Sequence, residues 1–204
     1  MAWLAKERTV KHAVVFGTNG GLARALAWAF DGAGWSVEPV ARRESPSSSL
    51  ADAYVFPQAV FLNEPFVSSD FDRIADVIDV GLTQVAARIH DCLRLDAPDK
   101  RLDYCLIGST SSYAGFANTA AYCATKAGLV GLVRALNEEY KDTQRRFWLF
   151  SPGTMDTAMG RQLTDQDPTT FLSPHDVAER IVGTITAPGN MFEPEVVIRR
   201  RVVR

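Results

Sequence analysis

The stretch Ala13-Val14-Val15-Phe16-Gly17-Thr18-Asn19-Gly20-Gly21-Leu22-Ala23 decides how the rest of the chain is read. Four consecutive apolar residues make a short buried strand, Gly17 ends it, and Leu22 to Phe30 then carries apolar residues and alanines at helical spacing. Strand, glycine turn and helix in that order bring backbone N–H groups and the positive end of a helix dipole to one point. Such a point holds a pyrophosphate, with Gly17, Gly20 and Gly21 permitting the turn and the close approach. Asn19 and Leu22 belong to the same turn, and Ala23 stands where a further glycine is often found.

The alternation continues to the far end of the chain. Trp35 to Val40 reads as a second strand after the Gly32-Ala33-Gly34 break, followed by Arg42-Arg43 and a Ser/Pro loop from Glu44 to Ser49. Ala59 to Leu62 is the expected third strand, with Ala53 to Phe56 as a weaker candidate. Ser69 or Asp70 caps a long helix reaching about Leu95, and Leu102 to Ile107 follows as a buried strand. A helix through Tyr122 runs to about Tyr140, and Phe147 to Phe150 makes a strand that breaks at Ser151-Pro152-Gly153. Pro174 opens a helix through about Thr186, and Glu195 to Ile198 is the last strand. This order predicts an α/β fold: one doubly wound, mostly parallel sheet with helices on both faces and ligands at the carboxyl ends of its strands. A single domain over residues 1–204 is expected, with 1–11 as a lead segment.

The bulk numbers narrow the function. With 204 residues, 47% hydrophobic and 23% charged, the chain suits one ordinary globular core. A formal charge of -2 and no long block of one sign exclude nucleic acid and anionic membrane as expected partners. Met1 to His12 mixes Lys6, Glu7, Arg8 and Lys11 with few apolar positions, so neither a signal h-region nor a membrane span is drawn there, and a cytoplasmic location is expected. Cys92, Cys105 and Cys123 form no C-x-x-C and are odd in number, which suits a reducing compartment. His12, His90 and His175 lack metal-ligand spacing, so no metal is expected.

Chemistry concentrates in Ala120-Ala121-Tyr122-Cys123-Ala124-Thr125-Lys126. A phenol and an ammonium four residues apart share a helix face. A phenol, with a reference pKa of roughly 10, is more easily ionised beside a fixed cation, and the pair is acid/base machinery for a carbonyl or an alcohol. Arg42 and Arg43 follow the second strand, where an acidic side chain would grip the adenosine ribose of NAD. Guanidinium groups suit a 2'-phosphate instead, so NADP(H) is favoured over NAD(H). The carboxylates Asp70, Asp72, Asp76 and Asp79 fit helix-dipole stabilisation.

Together these residues resemble the short-chain dehydrogenase/reductase family, from about Val10 to Ile198. The glycine turn is similar to its cofactor loop, Y-C-A-T-K to its Tyr-x-x-x-Lys motif, and Pro152-Gly153-Thr154-Met155-Asp156-Thr157 to its P-G-x-x-x-T segment. The resemblance implies a Rossmann-type NAD(P)-binding domain. It implies Tyr122 as general acid in reduction and base in oxidation, with Lys126 lowering its pKa and holding the nicotinamide ribose. Pro152, Gly153, Met155 and Thr157 would hold the carboxamide. A serine after the preceding strand would bond the carbonyl oxygen: Ser109, thirteen residues before Tyr122, with Ser111 or Ser112 as alternatives.

Three departures stand out. Asp79-Val80-Gly81-Leu82-Thr83 has Gly81 where the family carries an asparagine that helps order a helix kink and a proton-relaying water. The family's N-N-A-G segment is read as Leu62-Asn63-Glu64-Pro65, keeping only Asn63 as a cofactor contact and adding the Glu64 charge. Fifteen residues separate Arg43 from Ala59, where a full member fits a loop, two helices and a strand. At least one element is therefore missing, and weaker cofactor binding is expected.

The resulting expectation is an NADP(H)-dependent oxidoreductase acting on a ketone or aldehyde, or on the matching alcohol, with a small-molecule or carrier-bound substrate. Its lid is the short segment from Thr157 to Phe171, and Phe116, Met155, Met159 and Phe171 are candidate substrate contacts. Trp28, Trp35 and Trp148 read as core or interface aromatics. The rivals are a catalytically silent nucleotide-binding sensor or scaffold, and a dehydratase or isomerase on the same site. Helices from Asp70 to Leu95 and Ala121 to Tyr140 correspond to those with which relatives dimerise, so a homodimer or homotetramer is expected.

Overall fold

In the computed structural model, which describes residues 10–41, 44, 46, 51–96, 100–188 and 192–201, strands and helices alternate along the chain. The order is β1 (His12–Phe16), α1 (Gly21–Gly32), β2 (Ser36–Val40), β3 (Ala53–Phe56), α2 (Phe71–Ile78), α3 (Gln84–Leu95), β4 (Leu102–Ile107), α4 (Ala120–Glu139), β5 (Arg145–Pro152), α5 (Pro174–Thr186) and β6 (Glu195–Ile198). The six strands form one sheet in the order β2-β1-β3-β4-β5-β6, and every neighbouring pair is parallel.

Successive side chains of a strand point to opposite faces, so a sheet covered on both sides needs strands that are apolar at every position. β5 shows this directly. Trp148 and Phe150 join Ala13, Val15 and Cys105 in a core closed by α1 and α5. Phe147 and Leu149 join Val14, Phe16 and Tyr104 in a second core closed by α3 and α4. The expected doubly wound α/β architecture is therefore present. Trp35 and Trp148 are buried, while Trp28 is exposed and meets His175 edge-on.

The third strand is Ala53–Phe56, not Ala59–Leu62; residues 57–63 are loop. Both runs are short and apolar, but only the first can be flanked on both sides. Val55 pairs with Val15 of β1 and Cys105 of β4, and all four of its residues are buried. Among the described residues no helix or strand lies between Val40 and Ala53, which leaves β2 as an edge strand. Pro39 sits within that edge, where a missing N–H costs nothing and discourages pairing with another chain.

Asp70 caps the helix after the loop, its carboxylate accepting from the Asp72 N–H at 2.9 Å. The expected continuous helix to Leu95 is interrupted by a π-turn over Asp79–Thr83, between α2 and α3. A π-turn inserts one residue into a helix and is enriched at functional sites. Its glycine, Gly81, is buried.

Candidate active site

One cleft of about 1580 Å³ opens at the carboxyl ends of the strands. It is lined by Gly17, Asn19, Gly20, Gly21 and Leu22 from the glycine turn, by Ser109, Tyr122 and Lys126, and by Pro152, Gly153, Met155 and Thr157 after β5. Asn63 lines it too. These expected residues therefore line one space, whereas Ser112 and Phe171 do not. Arg42 and Arg43 lie outside the described residues.

Gly17 has φ +90°, a conformation side-chain-bearing residues rarely adopt, and its N–H donates to the Val40 carbonyl at 2.8 Å. This left-handed residue turns the chain between the end of β1 and the start of α1. Across the cleft, the Thr157 methyl lies against Gly21, where a β-carbon would stand 2.9 Å away. The Thr157 hydroxyl accepts from the Gly160 N–H at 3.1 Å, so it also shapes the start of the 157–171 segment.

Tyr122 lies in the first turn of α4 and Lys126 one turn later. The Lys126 ammonium is buried, donates to the Ile107 carbonyl at 2.7 Å, and lies 5.5 Å from the centre of the Tyr122 ring. Loss of water drives both groups toward neutrality. Burial pushes the Tyr122 phenol up to about 12, with the Ser109 hydroxyl opposing that shift. Burial alone pulls the Lys126 ammonium down to about 8. The neighbour that favours the phenolate here is therefore Ser109, while Lys126 faces the end of β4. Phe61 packs edge-on against the Tyr122 ring, with centroids 5.0 Å apart.

The three candidate serines separate by position. Ser109 caps a 3-10 turn, its hydroxyl accepting from the Ser111 N–H at 3.1 Å, and it lines the cleft beside Tyr122. Ser111 also lines the cleft. Ser112 is buried and accepts from the Ser109 N–H at 3.2 Å, so its hydroxyl serves the turn.

Other expectations shift. Glu64 pairs with Arg73 at 2.7 Å, so its charge is neutralised on α2. With β3 ending at Phe56, the segment at the strand end is Pro57-Gln58-Ala59, and all three residues line the cleft. Placing the strand six residues too late, at Ala59 and not Ala53, hides them in the sequence. Phe116, Met155 and Met159 line the cleft, whereas Phe171 lies under the Arg200 guanidinium, 5.7 Å from ring to charge. Arg200 also donates to Gln166 and Thr170, fastening the 157–171 segment to the segment after β6.

The site fits a dinucleotide on the chain's own evidence. The Gln58 Oε1 beside Gly17 is buried without a hydrogen-bond partner among the described residues, and the turn presents backbone N–H groups at the start of a helix. Among the described residues no cluster suits a metal ion, and no helix is long and apolar enough to cross a membrane.

A family model described as enoyl-(acyl carrier protein) reductase matches residues 48–186. The chain belongs to the short-chain dehydrogenase/reductase family, a family of oxidoreductases. The inactive 2-(S)-hydroxypropyl-CoM dehydrogenase 2 of Xanthobacter autotrophicus is 34% identical over 90 residues, covering 44% of this chain and 39% of that protein. The 3-oxoacyl-(acyl-carrier-protein) reductase MabA of Mycobacterium avium is 33% identical over 96 residues, covering 47% and 37%. The matches therefore span less than half of those two relatives. An uncharacterized oxidoreductase of Staphylococcus epidermidis is 25% identical over 224 aligned positions, covering 93% of this chain and 96% of that one.

Solved structures share the fold. 4-Hydroxyisoleucine dehydrogenase complexed with NADH superposes with TM-score 0.81 at 18% identity, covering 93% of this chain and 97% of that chain. The closed form of serine dehydrogenase complexed with NADP+ gives 0.77 at 16% identity, covering 92% and 94%.

Proposed function

We propose that this chain is an NADP(H)-dependent oxidoreductase that reduces a ketone or aldehyde, or oxidises the matching alcohol. The observation that carries the reading is the meeting of Tyr122, Ser109 and Lys126 in the same cleft as the glycine turn and the Pro152–Thr157 segment. A bound nicotinamide would supply the hydride. The Tyr122 hydroxyl then gives its proton to the carbonyl oxygen, and the Ser109 hydroxyl, beside it, orients that oxygen. A phenol pushed up to about 12 is protonated throughout the physiological range, which suits a donor in the reductive direction. Lys126, a buried ammonium, offers its remaining N–H groups to the nicotinamide ribose. Gly17, Asn19, Gly20, Gly21 and Leu22 hold the pyrophosphate, and Pro152, Gly153, Met155 and Thr157 the carboxamide. Asn63 stands at the same cleft.

The preference for NADP(H) rests on Arg42 and Arg43 following β2. Glu44, the nearest acid, turns its carboxylate back to the Ala41 N–H at 3.4 Å. The edge position of β2 supports a thin adenosine pocket and modest affinity. The cleft is roomy enough for a small or a carrier-bound substrate, and the protein would work in the cytoplasm as a homo-oligomer.

A second reading, a silent nucleotide-binding protein, is favoured by Gly81 and by the name of the inactive Xanthobacter relative. NADPH oxidation with a broad panel of ketones and aldehydes separates the two. Turnover that is lost in Tyr122→Phe supports the enzyme; NADPH binding without oxidation across the panel supports the silent protein.

A further inference from the structure

Two glycines and two side chains lock α4 against the π-turn. A β-carbon built on Gly81 would stand 2.5 Å from the Thr125 Cγ2 but 3.8 Å from its Cβ, so only the threonine methyl fills the notch over Gly81. Reciprocally, a β-carbon on Gly128, one turn further along α4, would meet Leu82 of the π-turn at 2.8 Å. Each element therefore inserts one side chain over the other's glycine. The Thr125 hydroxyl adds a polar tie, donating to the Ala121 carbonyl at 2.9 Å and reaching the Val77 carbonyl of α2 at 3.5 Å.

Thr125 is 2% exposed, and the next residue, Lys126, is as deeply buried. Among the described residues the Lys126 ammonium has one hydrogen-bond anchor, the Ile107 carbonyl. A buried charge with so few partners depends on its backbone being held in place, because a shift of more than about 0.5 Å carries this 2.7 Å hydrogen bond beyond the normal range. Close-packed interiors transmit such shifts rather than absorb them. We propose that Thr125 is a positioning residue for Lys126, and that Gly81 is required because any side chain there displaces the Thr125 methyl and the turn of α4 that carries the ammonium. Gly81 is thus the receiving half of a lock. The inference rests on the reading that Lys126 serves the nicotinamide ribose.

The test compares wild type, Gly81→Ala, Thr125→Ser and Gly81→Ala/Thr125→Ser by thermal melting and by NADPH and NADH affinity from pH 6 to 10. Gly81→Ala is expected to lower Tm by roughly 3–10 °C through overpacking. It is expected to weaken dinucleotide binding about tenfold through a misplaced charge-assisted hydrogen bond, and to move the pH at which affinity falls. Serine removes only the clashing methyl, so the double variant recovers both affinity and pH profile. Thr125→Ser alone opens the notch and raises the pH of the fall. Three results overturn the proposal: unchanged binding and pH profile in Gly81→Ala, a lowered Tm with the pH profile unmoved, or a double variant no better than Gly81→Ala, including one that likewise fails to fold. A wild type that binds neither dinucleotide removes the parent reading and this inference with it, and that failure is visible before any variant is made.

Discussion

The Lys126 ammonium lies 5.5 Å from the centre of the Tyr122 ring and spends a hydrogen bond on the Ile107 carbonyl. Charge and phenol share one wall of the cleft, and each is shifted by burial toward its neutral form. Lys126 moves down to about 8 and Tyr122 up to about 12.

Dinucleotide affinity should therefore fall as pH rises through about 8, where Lys126 loses its proton, and not near the ordinary lysine value of 10.5. Titration of NADPH affinity against pH checks this; a fall only above pH 10 would show that burial does not shift Lys126, and affinity unchanged across the range that the ammonium is not involved.

Stability carries the same signature with a definite sign. Between about 8 and 10.5 the unfolded chain holds more protons at this lysine than the folded one, so stability rises with pH across that window and the full cost is present below it. Lys126→Met should consequently stabilise the fold at pH 7 by about 2–3 kcal/mol while weakening dinucleotide binding. Urea unfolding at pH 7 measures it; a less stable variant would mean that the Ile107 bond outweighs desolvation.

The serines should divide by role. Ser109→Ala is expected to lower turnover roughly a hundredfold, as loss of a donor at the reacting oxygen does, and Ser111→Ala to change it only about twofold. Ser112→Ala removes the acceptor of the Ser109 N–H and should cost about 1 kcal/mol of stability. Steady-state rates with any accepted carbonyl, paired with melting curves, distinguish the three.

Away from the cleft, Asp96 accepts from Arg145 at 2.5 and 2.9 Å and from the Tyr104 hydroxyl at 2.6 Å. Both charged partners are largely buried. Asp96→Ala strands a guanidinium and a phenol, which should cost about 3–5 kcal/mol in urea unfolding. A loss under 1 kcal/mol would show that water reaches Arg145.

The proposed self-association would use exposed apolar and small residues of α2 and α4. Phe71 and Ile78 are 74% and 38% exposed on one face of α2, and Ala124, Ala127 and Gly131 are exposed along α4. Light scattering should give two or four times the 22.4 kDa chain mass, and Phe71→Glu should lower it. A monomeric wild type would contradict the proposed assembly.

Local chemistry made most of this legible in the sequence. The strand-glycine-helix unit at 13–30, the helix bearing Tyr122 and Lys126, and the last helix and strand each announce themselves by periodicity and by Gly or Pro at their ends. What stayed hidden depends on neighbours. Ala53–Phe56 outranks Ala59–Leu62 only because β1 and β4 flank it. The π-turn at Asp79–Thr83 adds a single residue inside a long helical pattern and has no composition of its own. Glu64 is removed from the site by an ion pair with Arg73, nine residues on, that spacing does not reveal.

The most direct measurement follows deuterium from the C4 position of labelled NADPH into the product alcohol, with wild type and Tyr122→Phe side by side. The account predicts label at the former carbonyl carbon with wild type, and a rate at least about a hundredfold lower with Tyr122→Phe although NADPH still binds. Equal rates in the two proteins, or product without label, would contradict it.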